Sequence, residues 1–152
     1  MEEKSRKINT CTFFGHRDAP EEIQPKLEKA IIDLIENHNV NKFYVGNNGK
    51  FDFLVKKTLE KLKNNYQHIE YFIVLAYHPT EKEDYGYTDY SNTIYFDELN
   101  FVPKRLAIYK RNELMIKKSN FVITYVNHNF GGAAIFKELA EKLEKKIINI
   151  KN

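Results

Sequence analysis

Short, continuously apolar segments alternate along this chain with segments in which apolar residues recur every three or four positions. The first pattern is typical of strands buried on both faces, and the second is typical of helices with one apolar face. This alternation predicts a Rossmann-like, doubly wound α/β fold, in which a mainly parallel sheet of about five to six strands carries helices on both faces. The predicted strands are residues 8–14, 42–46, 69–77, 121–126 and 146–150.

The apolar residues with helical spacing occupy the intervals between these strands. They cover residues 23–35, 51–62 and 135–143, and a basic helical stretch covers 102–118. Asp18, Pro20 and Glu21 stand before the first of these segments and predict its cap and first turn.

The length of 152 residues and a hydrophobic content of 42% predict one domain covering residues 1–152. The regular alternation fails at about 79–100, where an irregular insertion is acidic and rich in tyrosine and includes a candidate short strand at Thr93–Phe96. The tyrosines at 85–95 could stack on a base, form a lid or contact a second subunit, and the sequence leaves these alternatives open.

Charge and cysteine usage exclude several classes of function. The formal charge of +3, from 24 basic and 21 acidic residues, is too small to predict general affinity for nucleic acid. Cys11 is the only cysteine, which excludes an internal disulfide and a cysteine-based metal cluster. The histidines lack ligand spacing, so neither a metal nor another cofactor is predicted. No segment resembles a signal peptide or a membrane span, and a cytoplasmic protein without membrane contact is expected.

Three glycine-containing loops follow predicted strands, at 14–18, 45–52 and 127–134. Loops of this kind meet at the carboxyl edge of a parallel sheet, where helix N-termini favour anions. The alternative is that the glycines only make turns. The standard dinucleotide and P-loop fingerprints are absent, so NAD or ATP bound in those ways is not expected. The candidate ligand-binding residues from the loops are Gly15, His16, Arg17, Gly46, Asn47, Asn48, Gly49, Asp52, Gly131, Gly132 and Ala133.

The segments FFGHRD (13–18), GNNGKFD (46–52), RNELM (111–115) and YVNHNFGGA (125–133) together resemble the SLOG superfamily. This Rossmann-like group includes the DNA-processing protein DprA, the Lonely Guy phosphoribohydrolases and the small bacterial YpsA-like proteins. The resemblance extends from about residue 8 to 150 and is greatest to small, stand-alone bacterial members. It implies a small nucleotide-type ligand and a homodimer.

Two Lonely Guy motifs resemble segments of this chain. The motif M-H-x-R-K-x-x-M aligns with Ile108–Met115 and places Arg111 at the family's catalytic arginine, with Asn112 beside it. The motif P-G-G-x-G-T-x-x-E aligns with 130–138, where two glycines and Glu138 match and Phe130, Ala134 and Ile135 do not. The resemblance implies that Arg111 faces the cleft, whereas a run of basic residues is more often a solvated helix face.

Three functions follow as hypotheses. The first is binding of a nucleotide or a nucleotide-derived, phosphate-containing ligand. In this hypothesis Asp52 either caps a helix or accepts a hydrogen bond from a ribose hydroxyl. The second is an N-ribosyl hydrolase acting on a nucleoside monophosphate, with Arg111 holding the phosphate and Glu138 assisting the attack of water. The third is binding of single-stranded nucleic acid, which the acidic stretch at 81–98 disfavours.

Overall fold

The structure is a computed structural model that describes residues 8–78 and 92–151. Strands and helices alternate along this part of the chain. The elements are β1 (Asn9–Gly15), α1 (Gln24–Asn37), β2 (Val40–Val45), α2 (Gly49–Lys63), β3 (Glu70–Val74), β4 (Thr93–Ile94), α3 (Ala107–Lys117), β5 (Phe121–Tyr125), α4 (Gly132–Lys142) and β6 (Lys146–Asn149). Short 3-10 turns cover Glu21–Ile23, Asp97–Phe101 and Lys104–Leu106.

The six strands form one parallel sheet in the order β4-β3-β2-β1-β5-β6. In the centre, Cys11 of β1 is opposite Phe43 of β2 on one side and Phe121 of β5 on the other. The chain builds the sheet outward from β1 in one direction and then returns to add β5 and β6 on the other side. The strand order therefore reverses between β1 and β5, and the predicted Rossmann-like α/β fold is confirmed.

Helices cover both faces of the sheet, because successive side chains of each strand point to opposite sides. Phe13 packs on Phe43 in the core beneath α1 and α2, with ring centroids 6.0 Å apart. Phe14 faces the other way and stacks on Phe136 of α4 at 5.3 Å, in the core beneath α3 and α4. Burial of each such ring stabilises the fold by roughly 1.5–3 kcal/mol, so both faces of β1 anchor the sheet.

The start of α1 differs from the prediction. Asp18 does not cap the helix, because α1 begins at Gln24 and is preceded by the 3-10 turn Glu21–Ile23. Pro20 holds an extended conformation before that turn and makes no side-chain cap hydrogen bond. The proline separates Asp18 from the free N–H groups of the helix, so the sequence signal placed the start too early.

The irregular region before α3 is described only in part. The candidate strand at Thr93–Phe96 is present as β4, limited to Thr93–Ile94 and paired with the end of β3 at the sheet edge. The acidic and tyrosine-rich residues 79–91 lie outside the described residues. Within the described part of the chain, no helix is long and apolar enough to cross a membrane.

Candidate functional site

The carboxyl ends of β1, β2 and β5 bring the three glycine loops to one edge of the sheet. Helix α2 begins at Gly49 and helix α4 begins at Gly132, so both direct free N–H groups towards this edge. The loop after β1 is different, because α1 starts only at Gln24. Two helix N-termini, and not three, thus begin directly at the glycines of the site.

A cavity of about 190 Å³ opens between these loops and α3. Its apolar wall consists of side chains that the sequence did not single out, including Ile108 and Phe136. Phe136 follows Gly132 by one helical turn, and this spacing alone could have indicated that it lies on the same face of the helix as Gly132. Nine of the predicted residues line the cavity: Gly15, Arg17, Gly46, Asn48, Asp52, Arg111, Asn112, Gly132 and Ala133.

Arg111 extends from α3 into the wall of this cavity and is only 2% exposed. Its Nη1 donates to the Asn47 side-chain oxygen at 3.0 Å and to the carbonyl oxygen of Val74 at 2.8 Å. Its Nε donates to the side-chain oxygen of Asn112 at 2.8 Å. Interpretation of Arg111 as part of a solvated basic face is therefore wrong, and the guanidinium connects α3 with the ends of β2 and β3.

Asp52 lies at the start of α2 and, among the described residues that line the cavity, contributes the only carboxyl group. Its Oδ2 accepts a hydrogen bond from the backbone N–H of Asn48 at 2.9 Å, so one oxygen caps the helix start. Burial raises the pKa of Asp52 to about 6, and this effect exceeds the opposing influence of the Asn48 N–H, Arg111 and Arg17. The carboxyl group of Asp52 thus holds its proton to a higher pH than an ordinary aspartate.

Different structural features explain why glycine occupies these loop positions. A Cβ on Gly15 would lie 2.3 Å from the ring of Phe51, and a Cβ on Gly46 would lie 2.7 Å from Oδ2 of Asp52. Packing against the ring therefore requires glycine at Gly15, whereas at Gly46 the contact is with the end of a side chain that can shift. At Gly132 an added Cβ would meet no atom within 4 Å, so the backbone there borders open space at the cavity.

Gly49 and Gly131 are required by backbone conformation. Their φ angles of 90° and 94° lie in the region that favours glycine. At Gly49 a side chain would also approach Cα of Arg17 to 2.9 Å. Gly131 precedes α4 directly and positions Gly132 at the helix start.

Asn47 and Gly49 line an adjoining concavity of about 290 Å³, together with Arg17, Asn48 and Tyr77. The two hollows share Arg17, Asn48 and Ile108 as lining residues, so they lie side by side in the cleft along the sheet edge.

His16 is buried beside this cleft and is not among the residues that line the cavity. Its Nε2 accepts a hydrogen bond from the backbone N–H of Asn127 at 3.1 Å. Its ring stacks on His128 at 3.7 Å, and His128 stacks on the exposed ring of Phe130 at 3.9 Å. Burial, followed by the nearby His128, lowers the pKa of His16, which favours the neutral imidazole.

Glu138 lies apart from Arg111. It is exposed on α4 and lines a separate polar concavity with Lys137, Glu141 and Asn149. Among residues 8–78 and 92–151, no group of three or more histidine, cysteine or acidic side chains is arranged to hold a metal ion.

The fold is similar to that of DNA processing protein A (DprA) from Streptococcus pneumoniae. The two structures superpose with a TM-score of 0.64 at 15% sequence identity, over 93% of this chain. The chain has a DprA-like fold. This chain covers 50% of the length of that DprA chain. No protein-family model matches the sequence, and no curated protein matches it significantly.

Proposed function

We propose that this DprA-like domain binds a nucleotide or a nucleotide-derived, phosphate-containing molecule in the cleft at the carboxyl edge of the sheet. The observation that carries the proposal is the convergence of Arg17, Arg111 and the N-termini of α2 and α4 on one cavity. The N-terminal end of a helix carries a partial positive charge and free N–H donors, and both favour phosphate.

The charge of the cavity supports an anionic ligand. Arg17 and Arg111 contribute two positive charges, and Asp52 offsets at most one of them. Arg111 is already oriented by its hydrogen bonds to Asn47 and Val74, so little side-chain entropy is lost when an anion binds. Arg17 is exposed at the mouth, where it can close over a bound phosphate.

The dimensions of the cleft support a ligand larger than phosphate alone. The cavity of about 190 Å³ accommodates a phosphate group and part of a sugar. Tyr77 lines the adjoining hollow, and Nζ of Lys104 lies 5.6 Å from the centroid of its ring, so this hollow adds an aromatic side chain and a cation to the cleft. The combined cleft falls in the range of roughly 300–1,000 Å³ that is usual for small-molecule sites.

Calorimetry with nucleoside monophosphates, ADP-ribose and cyclic nucleotides tests the proposal. We expect at least one member of this panel to bind, and Arg17→Met to weaken it roughly 10- to 100-fold, as expected for loss of a charge-assisted hydrogen bond. Arg105→Met removes an equal charge from an exposed site outside the cavity and serves as the matched control. Absence of binding across the panel at millimolar concentration would contradict the proposal.

The hydrolase hypothesis receives no support from the placement of its two residues. It requires Arg111 and Glu138 to act on one substrate, whereas these side chains line different concavities. Chromatography measures release of free base from nucleoside monophosphates. Release by the wild-type protein that is lost in both Arg111→Ala and Glu138→Ala would support the hydrolase hypothesis.

Two further properties remain predictions. Single-stranded DNA is expected to bind weakly at most, since Lys117 and Lys118 pair with Glu113 and Glu98 instead of forming an open basic surface. A gel-shift assay at low salt tests this expectation. The homodimer implied by the family resemblance is tested by light scattering on the purified protein.

A further inference from the structure

The carboxyl group of Asp52 is an unexpected component of a cavity that is otherwise suited to an anion. A carboxylate repels phosphate, and helix capping alone does not require a charged group at this position. The one contact that caps the helix, from the Asn48 N–H to Oδ2, could be accepted equally well by the neutral amide oxygen of asparagine. Helix capping therefore does not explain why this position carries a group that can bind a proton.

Among residues 8–78 and 92–151, the charged side chains that line hollows together with Asp52 are all cationic. Arg17 lies in the loop after β1 and Arg111 on α3, and both line the cavity with Asp52. Lys56 of α2 lines a further hollow, on the side of Asp52 and Phe53. On the other side, α4 contributes Gly132, Ala133 and Phe136, none of which titrates. Apart from Asn48, no donor to the carboxyl group occurs within the described part of the chain.

We propose that Asp52 makes the cavity selective for a phosphate group that carries a proton, by accepting a hydrogen bond from its P–OH. This inference rests on the proposed function and specifies the ligand group that the cavity takes. The second carboxyl oxygen accepts the hydrogen bond from the P–OH group, while Arg17 and Arg111 bind the remaining phosphate oxygens. The ligand class is a terminal phosphate monoester, and sulfate is excluded.

The selectivity follows from the chemistry of the two anions. The second pKa of a phosphate monoester is about 6, so the monoester readily takes a proton near neutral pH. Sulfate has no proton to donate under these conditions, and its oxygens would face the Asp52 carboxylate as like charges. A carboxyl group and a phosphate in contact instead share one proton, and the pair titrates as a unit. Burial already gives Asp52 a raised affinity for protons, in agreement with this role.

The test compares inorganic phosphate with inorganic sulfate, by calorimetry at pH 8 on the full chain. At this pH both are dianions, but only phosphate keeps a proton. We expect the wild-type protein to bind phosphate at least tenfold more tightly than sulfate, and Asp52→Asn to remove this preference by binding sulfate more tightly. Glu60→Gln changes the charge equally on the exposed side of the same helix and should preserve the preference.

A second measurement needs no variant. Ribose 5-phosphate has lost its last phosphate proton at pH 8, so its binding to the wild-type protein should take up about one proton from the buffer. Calorimetry in two buffers of different ionisation enthalpy counts that proton. Equal affinity for phosphate and sulfate, or binding of ribose 5-phosphate without proton uptake, would overturn the inference and leave the proposed function standing. Failure of all phosphate compounds to bind would overturn both.

Discussion

At the scale of the residue, Arg111 has a structural and an electrostatic role at once. A cation that is 2% exposed is stable only when hydrogen bonds replace its water, and Asn47, Asn112 and Val74 supply acceptors. The same contacts orient the guanidinium along the cavity wall. The basic residues around it on the chain, such as Lys117 and Arg105, are exposed.

Replacement of this side chain should therefore affect stability and binding together. Arg111→Met leaves the oxygens of Val74 and Asn47 without their donor, and we expect the free energy of unfolding to fall by about 2–4 kcal/mol. Urea denaturation measures this loss. Lys117→Met, on the exposed side of the same helix, should change it by less than about 1 kcal/mol. Equal effects of the two substitutions would contradict the role of Arg111.

His16 provides a second prediction at this scale. Because its pKa is lowered in the folded protein, the unfolded chain binds more protons just below pH 6.5. The stability contributed by neutral His16 should thus be present above pH 6.5 and decrease as the pH falls through the folded pKa. NMR titration of the ring should give a pKa below 6.5, and His16→Phe should reduce the loss of stability on acidification. A pKa at or above the ordinary value would contradict this account.

At the scale of the element, the loops at the carboxyl edge combine packing constraints with open backbone. Phe51 of α2 fills the space in front of Gly15, so β1 and α2 pack closely at that point. The start of α4 at Gly132 has no such neighbour and faces the cavity. Two glycines that look equivalent in the sequence consequently have different roles.

A pair of alanine substitutions separates these roles. Gly15→Ala should destabilise the protein by about 1–3 kcal/mol, because the new methyl group overlaps the Phe51 ring. Gly132→Ala should leave the melting temperature nearly unchanged and weaken the binding of the ligand identified from the nucleotide panel at least several-fold. Thermal unfolding and calorimetry measure both properties. Unchanged binding in folded Gly132→Ala would show that no ligand approaches this backbone.

At the scale of the whole molecule, stability depends on pH through Asp52 in the opposite direction to His16. The ordinary pKa of this carboxyl is 3.8 and the folded protein raises it to about 6. The folded state therefore binds more protons in that interval, and its stability should decrease as the pH rises through the folded pKa.

Comparison with a neutral variant isolates this contribution. Asp52→Asn keeps an oxygen for the Asn48 N–H, so it should become more stable than the wild type as the pH rises from about 4 to 7, by on the order of 1–3 kcal/mol. Urea denaturation at several pH values measures the difference. A difference that does not depend on pH would contradict the raised pKa.

The alternation of apolar strands and helical segments determined the fold class, because burial on both faces leaves its pattern in every strand. The glycine loops could also be predicted from the sequence, because helix starts and turns depend on residues that are close together in the chain. Tertiary structure alone decided which of their residues meet in one cavity. It buried Arg111 and left Lys117 exposed, although both belong to one basic run. It also placed Glu138 in a separate concavity and brought Asp52 into the cavity that Arg17 and Arg111 line. Helix rotation and strand order control these placements, and both depend on contacts between residues far apart in the chain.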